Sequence, residues 1–121
     1  MSKFRKSFQH ALEGLYYVSK HERNFQIELV IGVFIGALIL VLKLKGWEAI
    51  VLILMIMWVL ITELTNTVFE KVVDILKPRI HPYARLIKDI MAAVVLISCI
   101  VAVVVGVIIF LPYARDMWRG Y

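Results

Sequence analysis

The sequence predicts an all-α membrane protein: an N-terminal amphipathic surface helix followed by three transmembrane helices. Three observations carry that prediction. Hydrophobic residues make up 62% of the chain, and the mean hydropathy of +0.86 is far above that of a soluble globular domain. Three long apolar runs lie at about 25–42, 47–62 and 90–111, and the last has no charged residue from Ile90 to Leu111. At 1.5 Å per residue that run spans about 33 Å, enough for a hydrocarbon core. Lysine and arginine also alternate between the ends of these runs. Lys3, Arg5, Lys6, Lys20 and Arg23 precede the first, Lys43 and Lys45 follow it, Lys71, Lys77, Arg79, Arg85 and Lys88 follow the second, and Arg115 and Arg119 follow the third. This alternation puts the N-terminus and second loop in the cytoplasm. Topology and anionic headgroups account for the net charge of +5, so no nucleic-acid partner is expected.

The length of 121 residues suits one domain, 1–121. The surface helix is expected at about 2–20, where Phe4, Phe8, Leu12 and Leu15 recur at helical spacing and Lys3, Lys6, Glu13 and Lys20 fall off that stripe. His21-Glu22-Arg23-Asn24 is a polar knot before the first span, expected at about 25–43. That span carries Gln26 and Glu28 in its opening turn and a GxxxG at Gly32 and Gly36, a spacing that permits close helix packing. Lys43-Leu44-Lys45-Gly46 turns the chain into the second span, about 47–76. Trp47 is an interfacial anchor type. Pro78 and Pro82 punctuate the second loop, and the third span is expected at about 85–111, stopped by Pro112. Cys99, the one cysteine, lies inside that span and reads as a packing residue.

The second span does not stay apolar. Glu63, Asn66, Glu70 and Asp74 interrupt it on one helix face: Glu70 and Asp74 each lie about 20° from Glu63, and Asn66 about 60°. A charge at membrane depth costs roughly 2.5–3.5 kcal/mol on insertion scales and marks a functional candidate. Counted from Trp47, Glu63 lies about 24 Å along the helix and Glu70 about 34 Å. Glu63 is therefore level with a lipid hydroxyl, and Glu70 and Asp74 with water. Carboxylates, an amide and a basic loop suit Mg²⁺ and phosphate better than zinc. Phosphoryl transfer uses such parts, with the accepting hydroxyl coming from the bilayer. Three helices can hardly enclose such a site, so an oligomer is expected. No Walker loop, GxSxG, HExxH or CxxC is present.

The run Glu63-xx-Asn66-Thr67-xx-Glu70-xxx-Asp74, with Lys88-Asp89 fourteen residues on, resembles the signature of the small prokaryotic integral-membrane diacylglycerol kinase family, which includes undecaprenol kinases. Glu22-Arg23-Asn24-Phe25 resembles the family's approach to its first span. The resemblance covers nearly the whole chain. It implies a homotrimer, in the inner (plasma) membrane of a prokaryotic cell, that uses ATP and Mg²⁺ to phosphorylate a lipid alcohol at the cytoplasmic face. Carried over by position, Glu63 is the general base, Glu22 and Glu70 hold the metal, and Lys88 contacts the γ-phosphate. Asn66, Asp74 and Asp89 order the site and bind nucleotide together with Glu22 and Glu70. Arg79, His81, His10 and Lys3 match nucleotide contacts, and Asn24, Glu28 and Ala92 join Glu63 at the lipid. The chain departs from the family pattern at Thr65, Val68 and Phe69, at Ile87, and at Ile90-Met91. These departures bear on the lipid pocket rather than on the chemistry, so undecaprenol and diacylglycerol both stay open, with the short loops and the Phe110-Leu111-Pro112 ending closer to the Gram-positive subgroup. The alternative from another class is a non-enzymatic membrane protein, a cation-binding channel or assembly factor.

Overall fold

A computed structural model describes residues 2–76 and 81–120, which form four α-helices in chain order: α1 Lys3–His21, α2 Arg23–Val41, α3 Gly46–Leu76 and α4 His81–Arg119. The last three are long and apolar enough to cross a membrane, at about 28, 46 and 58 Å by helical rise.

Each junction is set by local chemistry. Ser2 starts α1 by accepting the Arg5 N–H on its hydroxyl at 3.3 Å, the usual N-cap arrangement. Glu22 alone separates α1 from α2. Its extended backbone, φ −105° and ψ 109°, caps both helices. The Gln26 amide reaches back from α2 and donates to the Ser19 and Lys20 carbonyls at 2.8 and 3.2 Å. It thereby satisfies carbonyls that α1 leaves without helical partners. At the far end of α2, Lys43 takes a left-handed conformation with φ 54°, and the Leu44 N–H returns to the Ile39 carbonyl at 3.2 Å. That is a Schellman stop with lysine where glycine is usual. Glu48 then accepts the Lys45 N–H at 3.1 Å, closing the first turn of α3.

Helix α3 is the centre of the packing: α2 and α4 both lie against it, and α1 contacts α2. A small core of Val18, Phe25 and Leu60, flanked by Ile56 and Leu64, joins α1, α2 and α3. Trp58 donates its indole N–H to the buried Ser98 hydroxyl at 3.1 Å, and Ser98 donates to the Val94 carbonyl, so α3 and α4 are pinned at mid-height. A Cβ on Gly32 would sit 2.9 Å from Ile56 Cγ2, whereas one on Gly36 would meet open space. Only the first glycine of the GxxxG is used within the chain.

Two expectations at the ends of the third span need correction. Helix α4 begins at His81 rather than near residue 85, with Pro82 in its first turn, where a missing N–H costs nothing because first-turn donors have no helical acceptor. Pro112 lies inside α4 and does not stop it. The Tyr113 hydroxyl donates to Glu48 across the helix pair, which holds the residues after Pro112 against the start of α3. Tyr113 is thus turned toward α3, and Trp118 remains exposed.

Candidate functional site

The acidic face of α3 carries a gradient of burial. Glu63 is 3% exposed and Asn66 9%, Glu70 is half-buried, and the Asp74 side chain is 57% exposed. Burial thus falls steadily along the helix from Glu63 to Asp74. Its threonines are accounted for by their own helix, since Thr62, Thr65 and Thr67 donate to the Val59, Ile61 and Glu63 carbonyls at 2.8, 2.9 and 3.0 Å. The carboxylates are left to meet other groups.

Those groups come from three elements. Asn66 Nδ2 donates to Glu70 Oε1 at 3.1 Å, one turn along. From α4, Lys88 Nζ reaches Asp74 Oδ1 at 2.8 Å. From the α1–α2 corner, Glu22 meets Lys71 Nζ at 3.6 Å. Lys71 also lies 5.9 Å above the Tyr17 ring, which stacks on His21 with centroids 4.2 Å apart. Glu63 Oε2 is enclosed and has no hydrogen-bond partner among the described residues, as is the case for Glu28 Oε2 on α2. The charges of Glu22, Glu28 and Glu70 all reach Glu63. The fold therefore gathers four carboxylates from α3 and from the start of α2.

The remaining candidates scatter. Asn24, Asp89 and Ala92 are exposed on α2 and α4. Lys88 lies two turns inside α4 rather than at its start, so its geometry is set by Asp74 and not by first-turn amides. Lys3 and His10 are exposed on α1, with His10 Nδ1 facing Glu13 at 3.6 Å. At 1.5 Å per residue they lie about 27 and 16 Å from the His21 end of that helix, so one chain does not bring them to the cluster. Arg79 lies outside the described residues, and His81 is placed only as the first residue of α4. Lys71 and Tyr17 went unmarked in the sequence. Lysine directly after Glu70 and tyrosine off the apolar stripe give no signal until the α1–α2 corner folds them toward Glu22.

Among the described residues, no group of three or more His, Cys, Asp or Glu side chains could hold a metal ion alone. One or two carboxylates are what Mg²⁺ takes when phosphate and water fill its remaining positions.

Fold and site together define a polytopic α-helical membrane protein with a carboxylate cluster on its central helix, buried at Glu63 and exposed at Asp74. The sequence matches the family model described as prokaryotic diacylglycerol kinase over residues 9–110, and the chain belongs to that family. It is 34% identical over 114 residues to the undecaprenol kinase of Bacillus subtilis (strain 168), covering 93% of this chain and 91% of that one. It is 37% identical over 107 residues to the diacylglycerol kinase of Synechocystis sp., covering 88% of this chain and 61% of the longer relative. The family match takes in every candidate site residue except Lys3.

Proposed function

We propose that the chain is a lipid kinase that transfers the γ-phosphoryl group of ATP, with Mg²⁺, to the hydroxyl of undecaprenol or diacylglycerol. The observation that carries this reading is the arrangement on α3: Glu63 enclosed with an unpartnered oxygen, and the Asp74–Lys88 pair exposed further along the same face. A membrane alcohol meets the first, and a soluble nucleotide meets the second.

In this reading the lipid hydroxyl donates to Glu63, which takes its proton as the oxygen attacks the γ-phosphorus and ADP leaves. Lys88 steadies the phosphoryl group from α4, and Asn66 orients Glu70. Glu22 and Glu70 would hold the metal. When bound there, Mg²⁺ supplies charge neutralisation on the phosphate oxygens. Asp74, Asp89, Arg79 and His81 serve the nucleotide, and Asn24, Glu28 and Ala92 serve the lipid. The N-terminus and the acidic end face the cytoplasm of a prokaryotic cell. The exposed apolar stripe of α1 (Phe4, Phe8, Leu12 and Leu15) lies in the membrane interface. The working form is a homotrimer of single-domain chains (1–121). A neighbouring chain supplies His10 and Lys3, which cannot reach the cluster in their own.

The test is ATP consumption by the purified protein in micelles with undecaprenol or diacylglycerol, with and without Mg²⁺. The reading predicts metal-dependent phosphorylation of at least one alcohol. A folded oligomer that phosphorylates neither is a non-enzymatic membrane protein instead.

A further inference from the structure

Lys71 follows Glu70 directly on α3 and lies about 80° round the helix from Glu63, so it flanks the acidic face on the side of the α1–α2 corner. Its ammonium stands 3.6 Å from Glu22 Oε1 and 5.9 Å from the centre of the Tyr17 ring. The Lys71 side chain is 55% exposed, and a lysine so placed ordinarily extends its head into water. This one turns across to another element instead.

Both of its partners are held in place. Glu22 precedes the first turn of α2, yet its side chain makes no capping hydrogen bond, which leaves the carboxylate to Lys71. Tyr17 stacks on His21 with centroids 4.2 Å apart, and His21 Nδ1 donates to the Tyr17 carbonyl at 2.9 Å. The ring is thereby fixed near Glu22, where it attracts a cation within about 6 Å of its face. Val18 and Phe25, on either side of the corner, pack with Leu60 of α3, so the corner and the helix that carries Lys71 stay together.

The same carboxylate is one of the two assigned to the divalent ion. An ammonium and a dication on one carboxylate repel each other across about 6 Å or less. Even at the dielectric constant of water that repulsion weakens binding of the ion about four- to ten-fold, the lower figure with physiological salt. The ion pair itself, being partly exposed, adds little to this.

We propose that Lys71 competes with the divalent ion for Glu22 and so sets the affinity of the site for that ion. The proposal rests on the reading of Glu22 as a metal ligand. Lys71 acts through Glu22 and touches neither the lipid nor the phosphates.

The experiment measures binding of Mn²⁺, an ion of the same oxygen-ligand preference as Mg²⁺, by the EPR signal of the free ion. The full chain is held in phosphatidylcholine nanodiscs with no nucleotide, so no turnover enters. Lys71→Met keeps the length of the side chain and should lower the dissociation constant about five-fold; Lys71→Gln should do the same where methionine disturbs the corner. Lys71→Arg keeps the charge and should stay within about two-fold of the parent. Arg23→Met removes an exposed cation next to Glu22 in sequence and should change the constant less than about two-fold. Adding Glu22→Gln to Lys71→Met should weaken binding about five-fold or more. A gain under about two-fold in both neutral variants, an equal gain in Lys71→Arg or in Arg23→Met, or no Mn²⁺ binding in Lys71→Met each overturns the proposal. Binding that depends on Glu22 but ignores Lys71 removes the competition alone. Binding that ignores Glu22→Gln removes Glu22 as a metal ligand, and the competition with it.

Discussion

Replacing Asn66 by alanine removes the contact that orients the proposed metal ligand, together with a hydrogen bond to Glu63. Asn66 is 9% exposed and donates to Glu70 Oε1 at 3.1 Å. A hydrogen bond to a charged group contributes about 1.5–3 kcal/mol. If all of that is felt in the transition state, kcat/KM falls about 10- to 150-fold at 1.36 kcal/mol per decade. Glu70 is only half-buried, so water can replace part of the lost donor and the lower end of that range is expected. The loss should come with a raised Mg²⁺ requirement, because a carboxylate free to rotate holds the ion in fewer of its conformations. Initial rates against Mg²⁺ with undecaprenol as acceptor give both quantities, and thermal unfolding controls for the truncated buried side chain. A variant with kcat/KM within two-fold of the parent and an unchanged Mg²⁺ midpoint would show that Asn66 does not act through Glu70.

Two further substitutions separate chemistry from packing. Lys88→Met should cut turnover about 100-fold or more, as loss of one transition-state donor does. Its effect on unfolding should be small, because the Asp74 pair is solvent-exposed; a loss of stability matching the loss of rate would make Lys88 a structural residue. Gly32→Ala should do the reverse. The new methyl meets Ile56 Cγ2 at 2.9 Å, a branched side chain partly buried against the core, and overpacking of this kind costs about 1–3 kcal/mol. Denaturant or thermal unfolding in micelles measures that cost, and an unaltered midpoint would mean that α2 and α3 do not approach as closely as Gly32 implies.

Much of the architecture was legible because the membrane imposes strong periodic rules. Apolar length located the three spans, and the angular spacing of Glu63, Asn66, Glu70 and Asp74 placed them on one face. Other features were hidden for definite reasons. Pro112 reads as a stop by local rules, and the Tyr113–Glu48 contact that carries the helix past it joins residues 65 positions apart. Gln26 looks like a polar intruder in a span until its amide is seen closing α1. Lys71 counts as a loop charge in a topology tally, yet it pairs with Glu22 across the helical corner. Each is a tertiary contact between residues that no helical period links.

The proton acceptor is the centre of the account. Glu63→Gln keeps the shape of a side chain that is 3% exposed and removes its ability to take a proton. With saturating MgATP and undecaprenol, the measurement is kcat for the variant beside the parent, each checked for the same oligomeric size. General-base catalysis contributes about 10²- to 10⁴-fold, so the account predicts a loss of at least about 100-fold with the assembly intact. A variant that keeps its size and turns over within about ten-fold of the parent contradicts it.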